Sequence, residues 1–313
     1  MSRILGTATA LVGIAVLALS AAPATAATLP ATDTVYLLPC DDEEFDGILY
    51  SVDTTTGVAS RVGSWVNPDP DVFSCAGPAA YNPVNGKGYW ISWDTVDNLI
   101  EVDLATGVNT LINGFTLGGV AYNTPIGLAI DSAGNAWATS FGSTPDVLFS
   151  VNLATAELTV VGPTGVLPDS ENFGLAWDSV TDTTYGYNVS NEDLYSVNTA
   201  TGAFTLYNDN VFGSNPPYAI AFDSAGQVWG IDQDIISAPL ADLDTFEELV
   251  VINPYPVIAG NIYSESIIIA PTPAAAPALA ATGSDNSAAG VIAGAGALLV
   301  VAGIVIARRR KTA

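Results

Sequence analysis

Acid–base and nucleophilic chemistry in this chain would have to proceed without histidine, because its 313 residues contain none. That removes the commonest general base, the Ser-His pairing and most zinc sites together. What remains is carboxylate chemistry, drawn from 32 Asp and Glu, and two cysteines, Cys40 and Cys75. Many of the acids gather in short runs. The densest is Asp41, Asp42, Glu43, Glu44 and Asp46, and smaller groups lie at Asp69 with Asp71, Asp94 with Asp97, Asp169 with Glu171, Glu192 with Asp193, and Asp232 with Asp234. Oxygen ligands so concentrated suit Ca²⁺, which makes the 41–46 run the candidate metal site. No spacing matches an EF-hand, so the competing reading is a solvated acidic loop and a protein with no cofactor.

Charge narrows the partners. Between residues 27 and 282 the only cations are Arg61 and Lys87, against every acid except Asp285, for a formal charge of −29. Nucleic acid and anionic lipid are held mainly through Lys and Arg, so a body this acidic repels both. The same charge keeps an exposed protein soluble.

The two ends of the chain read as addresses. Arg3 precedes an apolar stretch from Ile4 to Leu19, and Ala24-Thr25-Ala26 supplies a small-x-small cleavage pattern, so residues 1–26 are expected to be a signal peptide. At the other end stands Leu279-Ala280-Ala281-Thr282-Gly283. A polar spacer follows, then an apolar run over 288–307 long enough to cross a bilayer as a helix, then Arg308-Arg309-Arg310-Lys311. This order resembles the C-terminal sorting signal of sortase substrates, in the Leu-Ala-x-Thr-Gly form associated with high-GC Gram-positive bacteria. The resemblance covers the tail alone. It implies that a sortase thiolate cuts between Thr282 and Gly283 and passes Thr282 to a peptidoglycan amine. The chain would then touch the membrane only through this anchor before sorting, and end covalently on the cell wall. Residues 271–278, rich in Ala and Pro, would act as a stiff spacer.

The elements that must position any site lie between these addresses, in an ectodomain over 27–270. One half-repeat, Leu49-Tyr50-Ser51-Val52-Asp53 closing on Thr56-Gly57, returns at Leu99, Leu148 and Leu194, at intervals of 46–50 residues. Alternating apolar and polar residues, then Asp or Asn and Gly, describe a strand entering a tight hairpin. A second half-repeat, Gly127-Leu128-Ala129-Ile130-Asp131-Ser132-Ala133-Gly134, has relatives at Gly174 and Ala219 and a looser one at Ala79. Together they make four strands per unit, the size of a propeller blade. The expectation is an all-β, five-bladed β-propeller of four-stranded blades. The first unit supplies only three strands, and Ile262–Ile269 would complete it and close the ring. Tyr36, Tyr89, Trp137, Tyr185 and Trp229 recur at one second-strand position and are read as packing between blades.

Positions where units enter the channel are the binding candidates: Ser74, Asn123, Ser170 and Asn215, then Phe173 and Tyr218, with Tyr122 and Asn261 nearby. Amides, hydroxyls and aromatic rings recognise glycans or peptides without charge. The alternative is that they cap strand ends. Cys40, at the end of a second strand, and Cys75, in the link between the first two units, are expected to pair in an exported chain. The function expected is a wall-anchored, non-catalytic binding or adhesion module for a glycan or protein. The rivals are a carbohydrate hydrolase with Asp/Glu at the funnel, as in some five-bladed propellers, and a passive coat protein.

Overall fold

The computed structural model describes residues 30, 32–39, 47–66, 68–69, 72–73, 75–93, 97–123, 125–140, 146–166, 173–209, 211–212, 217, 219–231, 235–239, 247–249 and 266–271. All the regular structure among them is β. The strands form five sheets. The first orders β22 (Ile267–Pro271), β1 (Asp33–Leu37), β2 (Tyr50–Asp53) and β3 (Val58–Arg61). The second runs β4 (Cys75–Asn82), β5 (Lys87–Trp93), β6 (Asn98–Val102) and β7 (Asn109–Gly114). The third runs β10 (Pro125–Ile130), β11 (Ala136–Ser140), β12 (Val147–Asn152) and β13 (Glu157–Pro163), then β8 (Thr116–Leu117) and β9 (Val120–Ala121). The fourth holds β14 (Phe173–Asp178), β15 (Thr183–Asn188), β16 (Asp193–Val197) and β17 (Phe204–Asn208). The fifth holds β18 (Ala219–Phe222), β19 (Gln227–Ile231), β20 (Ile235–Pro239) and β21 (Glu247–Leu249).

Apolar burial makes this a β-propeller arrangement. Five clusters of buried side chains occur, one at each junction between neighbouring sheets, from the first-to-second through to the fifth-to-first. The leading strands β22, β4, β10, β14 and β18 pack one against the next, and β18 meets β22 again. Tyr36, Tyr89, Trp137, Tyr185 and Trp229 are each buried in the cluster facing the next sheet, which is the packing role their recurrence suggested. The C-terminal strand completes the first sheet: β22 pairs antiparallel with β1 from Asp33↔Pro271 to Leu37↔Ile267. Two polar contacts across the closure help to hold it. The Asp33 carboxylate accepts the Ser224 backbone N–H at 2.7 Å, and the buried Ser266 hydroxyl donates to the Gly77 carbonyl. All the described strands find their partners within 33–271, so this part of the chain closes as a folding unit by itself.

Turns are built as the repeats imply. Asp53, Asp103, Asn152 and Asn198 each accept a backbone N–H two residues on, at 2.9–3.0 Å. Asp131, Asp178 and Asp223 do the same in the other hairpin. These carboxylates are turn formers. The third sheet departs from the pattern in two ways. Ala156 stands where other units have Gly and adopts φ 57°, its methyl fully buried. The link after β7 also folds into a Gly118-Gly119 hairpin, β8–β9, that lies along the outer edge of β13, with β8 parallel to it.

Close approach between sheets explains two glycines. A Cβ on Gly162 would sit 2.1 Å from the Thr201 carbonyl oxygen, and one on Gly63 would sit 1.9 Å from that of Thr106. Backbone cannot yield as a side chain can. Gly162→Ala should therefore cost about 3 kcal/mol in urea unfolding. Gly86→Ala, at φ +71° in open space, should cost only about 1 kcal/mol from backbone strain. Equal losses would show that the seam is not close-packed.

Candidate binding site at the central channel

Where the leading strands end, they converge. Tyr81, Ile130, Trp177, Phe222 and Pro271 line one cavity of about 220 Å³, so the C-terminal ends of all five strands reach a common mouth. The starts of those strands must share the opposite end of the channel. Deeper in, the lining is Ala79, Leu128, Leu175, Ile220 and Ile267, all buried. Leading strands are flanked on both faces by neighbouring sheets and so carry near-continuous apolar sequence, which leaves apolar atoms along the axis.

Polar groups at the mouth are held in place. The Asp223 carboxylate, 2 % exposed, accepts N–H bonds from Ala225, Gln227 and the Trp229 indole, each at 2.9 Å. Asp33, 7 % exposed, accepts from Ser224 and from the Thr32 hydroxyl. The Trp177 indole donates to Asp182 Oδ1 at 3.3 Å, which orients a half-buried ring beside the opening. Burial raises the pKa of Tyr81 above the ordinary tyrosine value. Away from the channel, Lys87 forms an ion pair with Asp103, and this contact, first among several, lowers the Asp103 pKa.

The sequence-predicted residues fall unevenly on the described structure. Asn123 is exposed and lies two residues before β10, at the end of the channel opposite the cavity mouth. Phe173 opens β14 at that same end, with its backbone paired to Asn188. The Tyr122 ring packs edge-on against Phe149 of β12, 5.3 Å between centroids, and its N–H bonds the Phe115 carbonyl, so it braces the β8–β9 hairpin. Ser74, Ser170, Asn215, Tyr218 and Asn261 lie outside the described residues, as do Asp41, Asp42, Glu43, Glu44 and Asp46 of the candidate Ca²⁺ loop. Among the described residues no three or more His, Cys, Asp or Glu gather as a metal site.

Cys75 opens β4, paired with Trp93, rather than lying in the link before it. It is not a free thiol, and Cys40 lies outside the described residues. Leu279, Ala280, Ala281, Thr282 and Gly283, with the expected signal peptide over 1–26 and the 288–307 segment, are also outside them. No helix among the described residues is long and apolar enough to cross a membrane. The cavity mouth at the Asp-Ser-Ala-Gly turns was not anticipated from sequence. Its signal was Tyr81 and Trp177, aromatic residues at the ends of two leading strands beside turn residues.

Tyrosines carry the pH response of the described core. Burial, followed by the 2.6 Å hydrogen bond donated to Glu101, pushes Tyr89 up to about 12. Burial also raises Tyr36, Tyr185, Tyr187 and Tyr195. In the unfolded chain these phenols ionise near pH 10. Between about pH 10 and 12 the unfolded state has therefore released protons that the folded state keeps, and stability falls as pH rises through that window. Urea midpoints should be flat between about pH 6 and 9 and drop between about pH 10 and 12, and Tyr89→Phe should flatten the drop. A Tyr89→Phe midpoint that tracks the parent throughout would exclude Tyr89 as a contributor.

No family model matches the chain, and no curated protein matches it. Solved structures do resemble its trace. A chain of a nidogen/laminin complex is 14 % identical with a TM-score of 0.48, over 76 % of this chain and 98 % of that one. A Xanthomonas campestris gluconolactonase is 13 % identical with a TM-score of 0.46, over 71 % and 77 %. A Staphylococcus aureus virginiamycin B lyase, solved with quinupristin, is 14 % identical with a TM-score of 0.41, over 72 % of each chain.

Proposed function

We propose that this is an exported surface protein, anchored through Thr282 to peptidoglycan by a sortase, whose propeller of five blades binds a glycan or protein ligand without catalysis. One observation carries the binding reading. The leading strands meet at one mouth by their C-terminal ends, so their starts share the other, and Asn123 stands there, exposed, two residues before β10. Loops clustered on a rigid ring are where propellers and similar scaffolds place recognition. Against hydrolysis stands the use of Asp53, Asp103, Asp131, Asp178 and Asp223 as hydrogen-bonded turn formers. A Cys40–Cys75 disulfide would brace the entry to β4, and Ca²⁺ at 41–46 would order the neighbouring loop.

Residues 27–278, presented to a glycan array and a cell-wall fraction with and without Ca²⁺, test the reading. Saturable binding lost in Asn123→Ala supports it; silence from a folded sample overturns it in favour of a coat protein. Turnover of a bound polysaccharide, lost on replacing funnel carboxylates while affinity stays, would select the hydrolase. Thr282→Ala should shift the chain from the wall fraction to the membrane, and no shift would remove the anchor.

A further inference from the structure

The cavity lies at the channel end away from the strand starts and Asn123, where the proposed function puts the glycan or protein ligand. Its volume is 220 Å³ and its described walls are dominated by Ala, Leu and Ile side chains. An engineered cavity of about 150 Å³ with such walls, in another protein, stays dry and binds benzene. A space of this size has room for one ring and a short substituent.

Charge can be decided from the mouth. No Lys or Arg is among the lining residues, so an anion finds no counter-charge there and meets a body of net −29. The Asp33 and Asp223 carboxylates are buried and turned to backbone, hydroxyl and indole donors, so they present little surface to a cation at the mouth. Ser179 and Ser224 are exposed at the opening and can meet a hydroxyl or an N–H at the outer end of a ligand. Tyr81 and Trp177 flank the same opening with half-buried rings.

We propose that the central channel is a second binding site, open at the Asp-Ser-Ala-Gly turns, that takes one small uncharged molecule: a single aromatic ring system with a polar tip. The ring sits among the leading-strand aliphatic side chains and the tip stays at the mouth. The site is independent of the ligand face proposed above, and either can fail alone.

Calorimetry and methyl NMR on residues 27–278 test it, with indole, 2-phenylethanol, 2-phenylethylammonium and phenylacetate as probes. Indole and 2-phenylethanol should bind one per chain, shifting the methyls of Ile130, Leu175, Ile220 and Ile267. The two charged probes should bind at least tenfold more weakly. Ala80→Leu, at a half-buried lining position, adds three carbons beside the cavity and should weaken the neutral probes at least tenfold. Trp177→Ala, at the half-exposed mouth, should weaken them several-fold, and it decides the matter with the methyl map should Ala80→Leu fail to fold. No saturation of the parent protein below about 10 mM, tighter binding of the ammonium than the alcohol, or affinity untouched by these variants would each overturn the proposal.

Discussion

A chain ending at residue 265 is expected not to fold cooperatively. It would lack β22, whose Ile267, Ile268 and Ile269 are 1, 1 and 7 % exposed. Burying an isoleucine is worth about 1.5–3 kcal/mol, so these three contribute about 5–9 kcal/mol. That approaches the whole stability of an ordinary domain, about 5–15 kcal/mol. The truncation also bares one edge of β1 over its full length and strips a wall from two neighbouring clusters. Near-UV circular dichroism should show lost tertiary packing, and a synthetic peptide of residues 266–273 added in trans should restore part of it. A truncated chain with the parent's urea midpoint would mean that the ring is held by its other junctions.

Asn109→Ala should be the costliest single exchange of a polar side chain, at about 3 kcal/mol. Asn109 Oδ1 accepts the indole N–H of Trp90 at 2.8 Å, and its Nδ2 donates to the Gly47 carbonyl at 2.5 Å, 62 residues away in sequence. One side chain thus ties the outer strand of the second sheet both to a fully buried tryptophan of that sheet and to the backbone that leads into β2 of the first. Its removal leaves a buried donor and a buried acceptor unpaired, each costing about 1–3 kcal/mol. For a domain of this size the melting temperature should fall by roughly 10 °C. In a Trp90→Phe background the same exchange should cost at least 1 kcal/mol less, because the indole N–H is already gone. Strict additivity would show that the two side chains are not coupled.

The strands were legible because each unit repeats the same solution: an apolar leading strand, an Asp or Asn turn, an aromatic second strand. The missing strand of the first unit could be inferred because only Ile262–Ile269 was left unpartnered, and β22 (Ile267–Pro271) fills that place. The β8–β9 hairpin escaped because it belongs to one unit only, and two-residue strands carry too little pattern to register. Ala156 broke the Thr-Gly signal of the third unit while keeping its left-handed turn, since its methyl is taken up by the core. The cavity depends on how five leading strands space themselves around an axis. No single strand encodes that spacing; Tyr81 and Trp177 become a mouth only once the ring has closed.

Asp33 begins β1 and Pro271 ends β22, and the register sets these two residues side by side. The domain is thus entered and left through one gate. If it is tethered beyond Pro271 and grips a ligand by the loops at the far end, pulling force enters at Pro271 and runs lengthwise along β22. The hydrogen bonds to β1 then share the load together and do not open one after another as a zipper would. The strand that closes the ring would also be the strand that bears the traction, sheared against its partner and not peeled from it.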